Sequence, residues 1–185
     1  MTAHTSANWS APSRLLHWLT ALLILAMAVI GLTMDSIARS QGPGIYTLHK
    51  SLGITVLVLV IVRLGWRLYA GKPAPLPGIP RWQGWLADGM HGLLYLLLLT
   101  MPLSGWLMDS AGTPRPWKVF GWFELPAISG RSAELAETAN QIHVTGFWVL
   151  AAMTALHVAA ALYHHLFLGD ATLSRMLHSR RRHLH

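Results

Sequence analysis

Four long apolar segments alternate with shorter polar stretches along the 185-residue chain. The segments cover about residues 14–34, 47–68, 85–108 and 141–168. A helix of about 20 apolar residues is long enough to cross the hydrocarbon core of a bilayer. The pattern therefore predicts an all-α membrane protein, a bundle of four transmembrane helices. We expect one domain over residues 1–185, ending in a basic tail over residues 170–185.

The polar stretches contain the residues that interrupt helices. Residues 35–46 include a Gly-Pro-Gly sequence, and residues 72–80 are rich in proline. Residues 109–140 form the longest stretch, and their aromatic side chains suit a cover at the membrane interface. Within it, residues 132–140 predict a short amphipathic turn ahead of the fourth segment. Pro102 predicts a kink in the third segment.

The composition fits a chain in contact with lipid. Hydrophobic residues make up 53% of the sequence and charged residues 11%, whereas a soluble domain has about 25% charged residues. The chain has no cysteine. This excludes iron–sulfur clusters held by thiolates, zinc sites with thiolate ligands and covalent attachment of haem through a CxxCH motif.

The net charge of +7 is distributed unevenly about the four segments. The two termini and the second connection together carry nine basic and two acidic residues, whereas the first and third connections carry five of each. The positive-inside rule therefore predicts that both termini of this multi-pass protein of the bacterial inner membrane are cytoplasmic. Because topology accounts for the excess charge, we expect no nucleic-acid partner.

Histidines on the fourth segment indicate a binding function. His143 and His157 are 14 residues apart, so on a helix they leave the same face about 21 Å apart along the axis. A histidine inside a membrane span is costly unless it binds or relays something. His164 and His165 follow near the end of the segment, where either a functional or a merely interfacial position is possible.

The direction of each span fixes the depth of its histidines. His17 and His91 share the cytoplasmic half with His157, whereas His49 shares the outer half with His143. Two opposed histidines at one depth are what a six-coordinate b haem requires. Taken singly, a histidine at a span end is often only an interfacial residue. Small residues follow two of the candidates, Gly53 after His49 and Gly146 after His143, either for close approach of a macrocycle or for helix packing.

Several motifs resemble the bacterial cytochrome b561 family, in particular its short di-haem members, which include a superoxide oxidase. The motifs are SRLLHW, LHKSLGI followed by VRLGWR, and LHVAAALYHHLFLGDATLSRM. The resemblance implies two b haems, each bound through its iron by two histidines. It pairs His17 with His157 and His49 with His143. It also implies that His91 and His164 belong to a quinone site.

The expected activity is superoxide:ubiquinone oxidoreductase. Lys50 and Arg115 are the candidate catalytic residues because basic side chains on the outer connections would attract a small anion. Their neighbours in this positive funnel are Arg39, Lys118 and Arg131. His91 or His164 would hold a quinone oxygen and relay protons to it. Arg63 or Arg67 is expected to pair with a haem propionate, unless topology alone explains them.

Two other functions fit parts of the pattern. An electron-transfer cytochrome b subunit would link a soluble dehydrogenase or hydrogenase to quinone and would need a redox protein partner. A metal or proton transporter lined by histidines would need acidic residues within the spans, and only Asp88 lies near one of them.

Overall fold

The computed structural model describes residues 8–76 and 78–177, and in them each of the four apolar segments forms a helix. The helices are α1 (Ala11–Gln41), α2 (Gly44–Ala70), α3 (Arg81–Gly112) and α4 (Ala133–Leu166). Two short strands lie between α3 and α4, β1 (Trp117–Val119) and β2 (Phe123–Leu125). One turn of helix, α5 (Ser174–Leu177), follows α4.

All four long helices have the length and the apolar composition to cross a membrane. Their outward faces carry large apolar side chains, such as Leu22 and Leu25, which are 64% and 65% exposed. Such surface is stable against lipid tails and unstable against water. The chain is therefore a multi-pass membrane protein, as the hydrophobic pattern predicted.

Two helix boundaries differ from those expected. Helix α1 continues through residues 35–41 and ends only at Gly42, whose φ of 91° favours glycine. Helix α4 begins at Ala133, because the Leu135 N–H donates to the Ser132 side chain and caps the helix there. The turn predicted over residues 132–140 is therefore mostly part of α4. Helix α3 includes Pro102 within its length, and the kink expected there stays a prediction.

A small β-hairpin in the third connection corrects the all-α expectation to a mostly helical fold. Strands β1 and β2 pair antiparallel, with Trp117 opposite Leu125. The turn between them contains two residues of positive φ, Phe120 at 49° and Gly121 at 80°. The Phe120 N–H donates to the hydroxyl of Ser51 on α2 at 3.0 Å, which holds the hairpin over the start of that helix.

The helices pack in chain order, with α1 against α2, α2 against α3 and α3 against α4. Their buried apolar core consists of Val56, Val60, Leu98 and Leu150. These residues lie midway along α2, α3 and α4. The core therefore occupies the centre of the bundle and leaves its two ends for polar side chains.

We call the end where α1 begins and α4 ends the terminal end, and the opposite end the distal end. The chain after α4 folds back across the terminal end. The indole N–H of Trp18 donates to the carbonyl of Met176 at 3.1 Å, and Arg175 donates to the carbonyl of Ala74 at 2.9 Å. These bonds tie the C-terminal segment to α1 and to the connection between α2 and α3.

Candidate cofactor site formed by two histidine pairs

The distal end brings together His49 of α2 and His143 of α4. Their ring centroids are 6.2 Å apart, and the ring planes are inclined by 74°. Both side chains are half-buried. They come from helices that do not follow one another in the chain, so the pair joins the two halves of the bundle.

Neighbouring atoms of α3 orient His143. Its Nδ1 lies 2.9 Å from the carbonyl oxygen of Met101 and 3.1 Å from the hydroxyl of Ser104. A carbonyl oxygen only accepts, so Nδ1 carries the proton and the lone pair of Nε2 is free for a metal. The Nδ1 of His49 is buried and has no hydrogen-bond partner among the described residues.

Glycines leave space beside both distal rings. A Cβ added at Gly105 would lie 3.1 Å from Cε1 of His143, and one at Gly31 would lie 3.5 Å from Cε1 of His49. At Gly146 an added Cβ would meet the sulfur of Met101 at 2.9 Å. The sequence analysis singled out Gly146 and Gly53 but missed Gly31 and Gly105. Both lie on helices other than that of the histidine they adjoin, so no local motif marks them.

The terminal end brings together three histidines. The ring centroids of His17 and His157 are 6.3 Å apart, and those of His91 and His157 are 5.3 Å apart. His157 follows His143 by 14 residues on α4, so the two pairs are separated by about 21 Å along that helix. The depth argument predicted this grouping of histidines.

Arg63 is the charged neighbour of the terminal pair. Its guanidinium donates to Nδ1 of His17 at 2.8 Å and lies over the ring of Tyr95, 5.2 Å from the ring centroid. A guanidinium has no acceptor, so in this arrangement His17 accepts at Nδ1 and carries its proton at Nε2. Binding of a metal through Nε2 would move that proton to Nδ1 and would require Arg63 to turn to another acceptor. No carboxylate among the described residues forms an ion pair with Arg63.

His91 also lines a cavity of about 520 Å³ between α2 and α3, close to the terminal end. Apolar walls come from Leu64 and Leu68, and charged rims come from Arg67 and Asp88. His164 does not line this cavity. Its Nδ1 instead lies 2.5 Å from the carboxylate of Asp170.

The two candidate catalytic cations have different surroundings at the distal end. Lys50 donates to both carboxylate oxygens of Asp109, at 3.1 and 3.2 Å, and lies 4.6 Å from the ring centroid of Trp117. Arg115 is exposed just before β1, and no ion pair involves it among the described residues. Of the five cations in the funnel expected from the sequence, Lys50 is paired with a carboxylate, whereas no ion pair among the described residues involves Arg39, Arg115, Lys118 or Arg131.

The distances between ring centroids, 6.2 and 6.3 Å, match those expected for one metal bound between two rings. Because a metal–imidazole bond measures about 2 Å and a ring centre lies about 1 Å from its nitrogen, two rings on opposite sides of one ion have centres about 6 Å apart. No group of three or more His, Cys, Asp or Glu in the described part of the chain could hold a metal ion by itself. A group that supplies its own equatorial ligands, as a porphyrin does, matches this set of donors.

Comparison with known proteins gives one family. The model of the family described as prokaryotic cytochrome b561 matches residues 8–179. Cytochrome b561 homolog 2 of Escherichia coli (strain K12) is 34% identical over 176 residues, which are 94% of this chain and 93% of that protein. The probable superoxide oxidase CybB of Yersinia pestis is 31% identical over 168 residues, with 90% of this chain and 93% of that protein covered.

A more distant relative is named as a probable hydrogenase cytochrome subunit. The probable Ni/Fe-hydrogenase B-type cytochrome subunit of Rhizobium leguminosarum bv. viciae is 23% identical over 215 residues. The match covers 94% of this chain and 87% of that protein.

Proposed function

The chain belongs to the prokaryotic cytochrome b561 family, and from this premise we propose that it carries electrons from superoxide to ubiquinone through two b haems. Cytochromes of this family bind b-type haem and transfer electrons in membranes. The observation that carries the proposal is the presence of two separate histidine pairs with ring centroids 6.2 and 6.3 Å apart.

In this proposal His49 and His143 hold the distal haem, and His17 and His157 hold the terminal haem. Each haem supplies a one-electron carrier when bound. The chain's own contribution is orientation. The carbonyl of Met101 fixes the ring of His143, and Gly31 and Gly105 leave room beside the distal rings.

The distal end receives the anionic substrate. Arg115 is exposed and free of an ion pair among the described residues, so it attracts superoxide more strongly than Lys50, whose charge Asp109 offsets. Each superoxide gives up one electron and leaves as O₂, so no proton is needed at this end.

The terminal end reduces the quinone. One ubiquinone takes up two electrons and two protons. Two superoxide anions supply the electrons. His91 lines the cavity of about 520 Å³ beside His157, and His164 lies near the end of α4. His91 or His164 is the group proposed to hold a quinone oxygen and to pass on protons from the cytoplasm, and of the two only His91 lines this cavity.

The proposed topology puts the distal end in the periplasm and both termini in the cytoplasm of a bacterium with an inner membrane. It rests on the excess of basic residues in the parts of the chain that belong to the terminal end. Protons for the quinone then come from the cytoplasm, whereas superoxide arrives from outside.

The test is an optical experiment on the purified protein. A superoxide-generating system should reduce b-type absorption bands, and ubiquinone should then reoxidise them. Arg115→Gln and Lys50→Gln should slow the reduction without changing the spectrum, with the larger effect for Arg115, and Asp109→Asn should speed it. Arg81→Gln, an exposed cation at the terminal end, is the matched control. Equal rates in all four variants would contradict a role for these charges.

The second candidate function is that of an electron-transfer subunit, favoured by the similarity to a hydrogenase cytochrome subunit. In that case a soluble dehydrogenase or hydrogenase would supply the electrons, and superoxide would reduce the purified chain poorly. The spectroscopic experiment separates the two functions. For a metal transporter, the described residues contain no group of three or more His, Cys, Asp or Glu that could hold the ion.

A further inference from the structure

The turn that follows α4 brings a carboxylate back onto the helix. Gly169 has a φ of 62°, a conformation that favours glycine, and it reverses the chain after Leu168. The N–H of Asp170 then donates to the carbonyl of His164 at 3.2 Å. Asp170 is therefore placed beside a histidine that precedes it by six residues.

The carboxylate of Asp170 is held between two donors. Its Oδ2 lies 2.5 Å from Nδ1 of His164, and its Oδ1 accepts from the N–H of Thr172 at 2.8 Å. The side chains of His164 and Asp170 are only 21% and 19% exposed. Partial burial acts to raise the pKa of Asp170, but the hydrogen bonds from Thr172 and His164 outweigh it and lower the pKa below its ordinary value. Asp170 is thus an ionised acceptor.

The pair is fixed to the rest of the bundle. The same segment is tied to α1 by the bond from Trp18 to Met176 and to the connection between α2 and α3 by the bond from Arg175 to Ala74. A carboxylate on a free tail would sample many positions, whereas this one is held against the end of α4. His165, the next residue on α4, is exposed, and no hydrogen bond or ion pair among the described residues joins it to Asp170.

We propose that Asp170 is a positioning residue for His164 and that it orients the imidazole at the quinone end of the protein. The inference rests on the proposed function. Asp170 accepts a hydrogen bond from Nδ1–H, so Nε2 is the nitrogen left to meet a ligand. The Nε2–H proton passes to a quinone oxygen as the quinone is reduced. The imidazole is left neutral and takes a new proton from the cytoplasmic side, while Asp170 stays ionised throughout.

The experiment uses the full-length holoprotein, reduced with superoxide and then mixed with ubiquinone-1 at several concentrations. His164→Gln should slow reoxidation, and Asp170→Ala should slow it on the order of tenfold, as expected for a lost proton-transfer group. The double variant should be no slower than His164→Gln, because Asp170 acts only through that histidine. Asp170→Asn keeps an acceptor but loses the charge, so it should lower kcat with little change in KM.

Two controls separate this role from simple support of the fold. His165→Gln should reoxidise at the wild-type rate, and reduction by superoxide at the distal end should be the same in every variant. Wild-type reoxidation in Asp170→Ala, or additive effects in the double variant, would overturn the role of Asp170. A wild-type protein that superoxide reduces but ubiquinone does not reoxidise would instead contradict the proposed function.

Discussion

The two nitrogens of each histidine ring have separate tasks at these sites. In His143 Nδ1–H donates to the carbonyl of Met101, which leaves Nε2 free. In His164 Nδ1–H donates to the ionised carboxylate of Asp170. In His17 the neighbour is a cation, Arg63, and the ring must therefore accept. Sequence position alone does not distinguish these three environments.

Substitution of Gly105 tests whether haem binding needs the space beside the ring of His143. In Gly105→Ala the new methyl group would lie 3.1 Å from Cε1 of His143, so we expect the ring to shift and the distal haem to bind more weakly. Gly89→Ala on the same helix is the matched control, because nothing lies within 4 Å of its added Cβ. That control should keep its haem and gain about 0.5–1 kcal/mol of helix stability. Haem content and the Tm of each variant are the measurements, and equal haem content in the two would contradict the expectation.

Substitution of Arg63 tests whether its positive charge affects the terminal haem. A half-buried guanidinium without a carboxylate among the described residues is costly, and a propionate of the terminal haem is the anion proposed to pair with it. Arg63→Gln should lower the midpoint potential of one haem, because the reduced iron loses a nearby positive charge. Arg63→Lys should restore most of that shift. A redox titration followed by the b-type bands measures both haems, and unchanged potentials in Arg63→Gln would refute the pairing.

Among the elements, the long helices were predictable and the hairpin was not. Each span has about 20 apolar residues, which only a membrane helix explains, so the four helices followed from the pattern. Strands β1 and β2 have three residues each, too few to show an alternating pattern. The bond from the Phe120 N–H to Ser51 joins residues 69 positions apart, and no local signal marks such a contact.

The same limit applies to the candidate site. Spacing along α4 gave the depths of His143 and His157 and so the grouping of histidines at each end. It gave no information on Met101 and Ser104, which approach His143 from another helix. The partner of Asp170 was also missed, since the reversal at Gly169 depends on a backbone conformation.

The hairpin should depend on Ser51. This residue is fully buried, and Ser51→Ala would leave the Phe120 N–H without its acceptor. We expect a loss of about 1 kcal/mol in stability and faster proteolytic cleavage within the third connection. Ser40→Ala is the control, because the exposed hydroxyl of Ser40 bonds only within its own helix. A Tm and a cleavage rate that match those of the control would show that the hairpin is held by other contacts.

For the whole molecule, α4 is the element that joins the two proposed haem sites. It contributes His143 to one and His157 to the other, and the apolar core of Val56, Val60, Leu98 and Leu150 lies between them. Under the proposed function, this arrangement would give electrons a path of about 21 Å along the helix axis. It would also keep the anionic substrate and the quinone at opposite ends of the bundle.

The haem-to-protein ratio of three purified proteins tests this account most directly. The wild type should contain two b haems for each chain, and His143→Ala and His157→Ala should each retain one. The remaining haem should be the terminal one in His143→Ala and the distal one in His157→Ala, and we expect a redox titration to give the two variants different midpoint potentials. A wild type with a single haem, or two variants that retain the same haem, would contradict the assignment of one haem to each histidine pair.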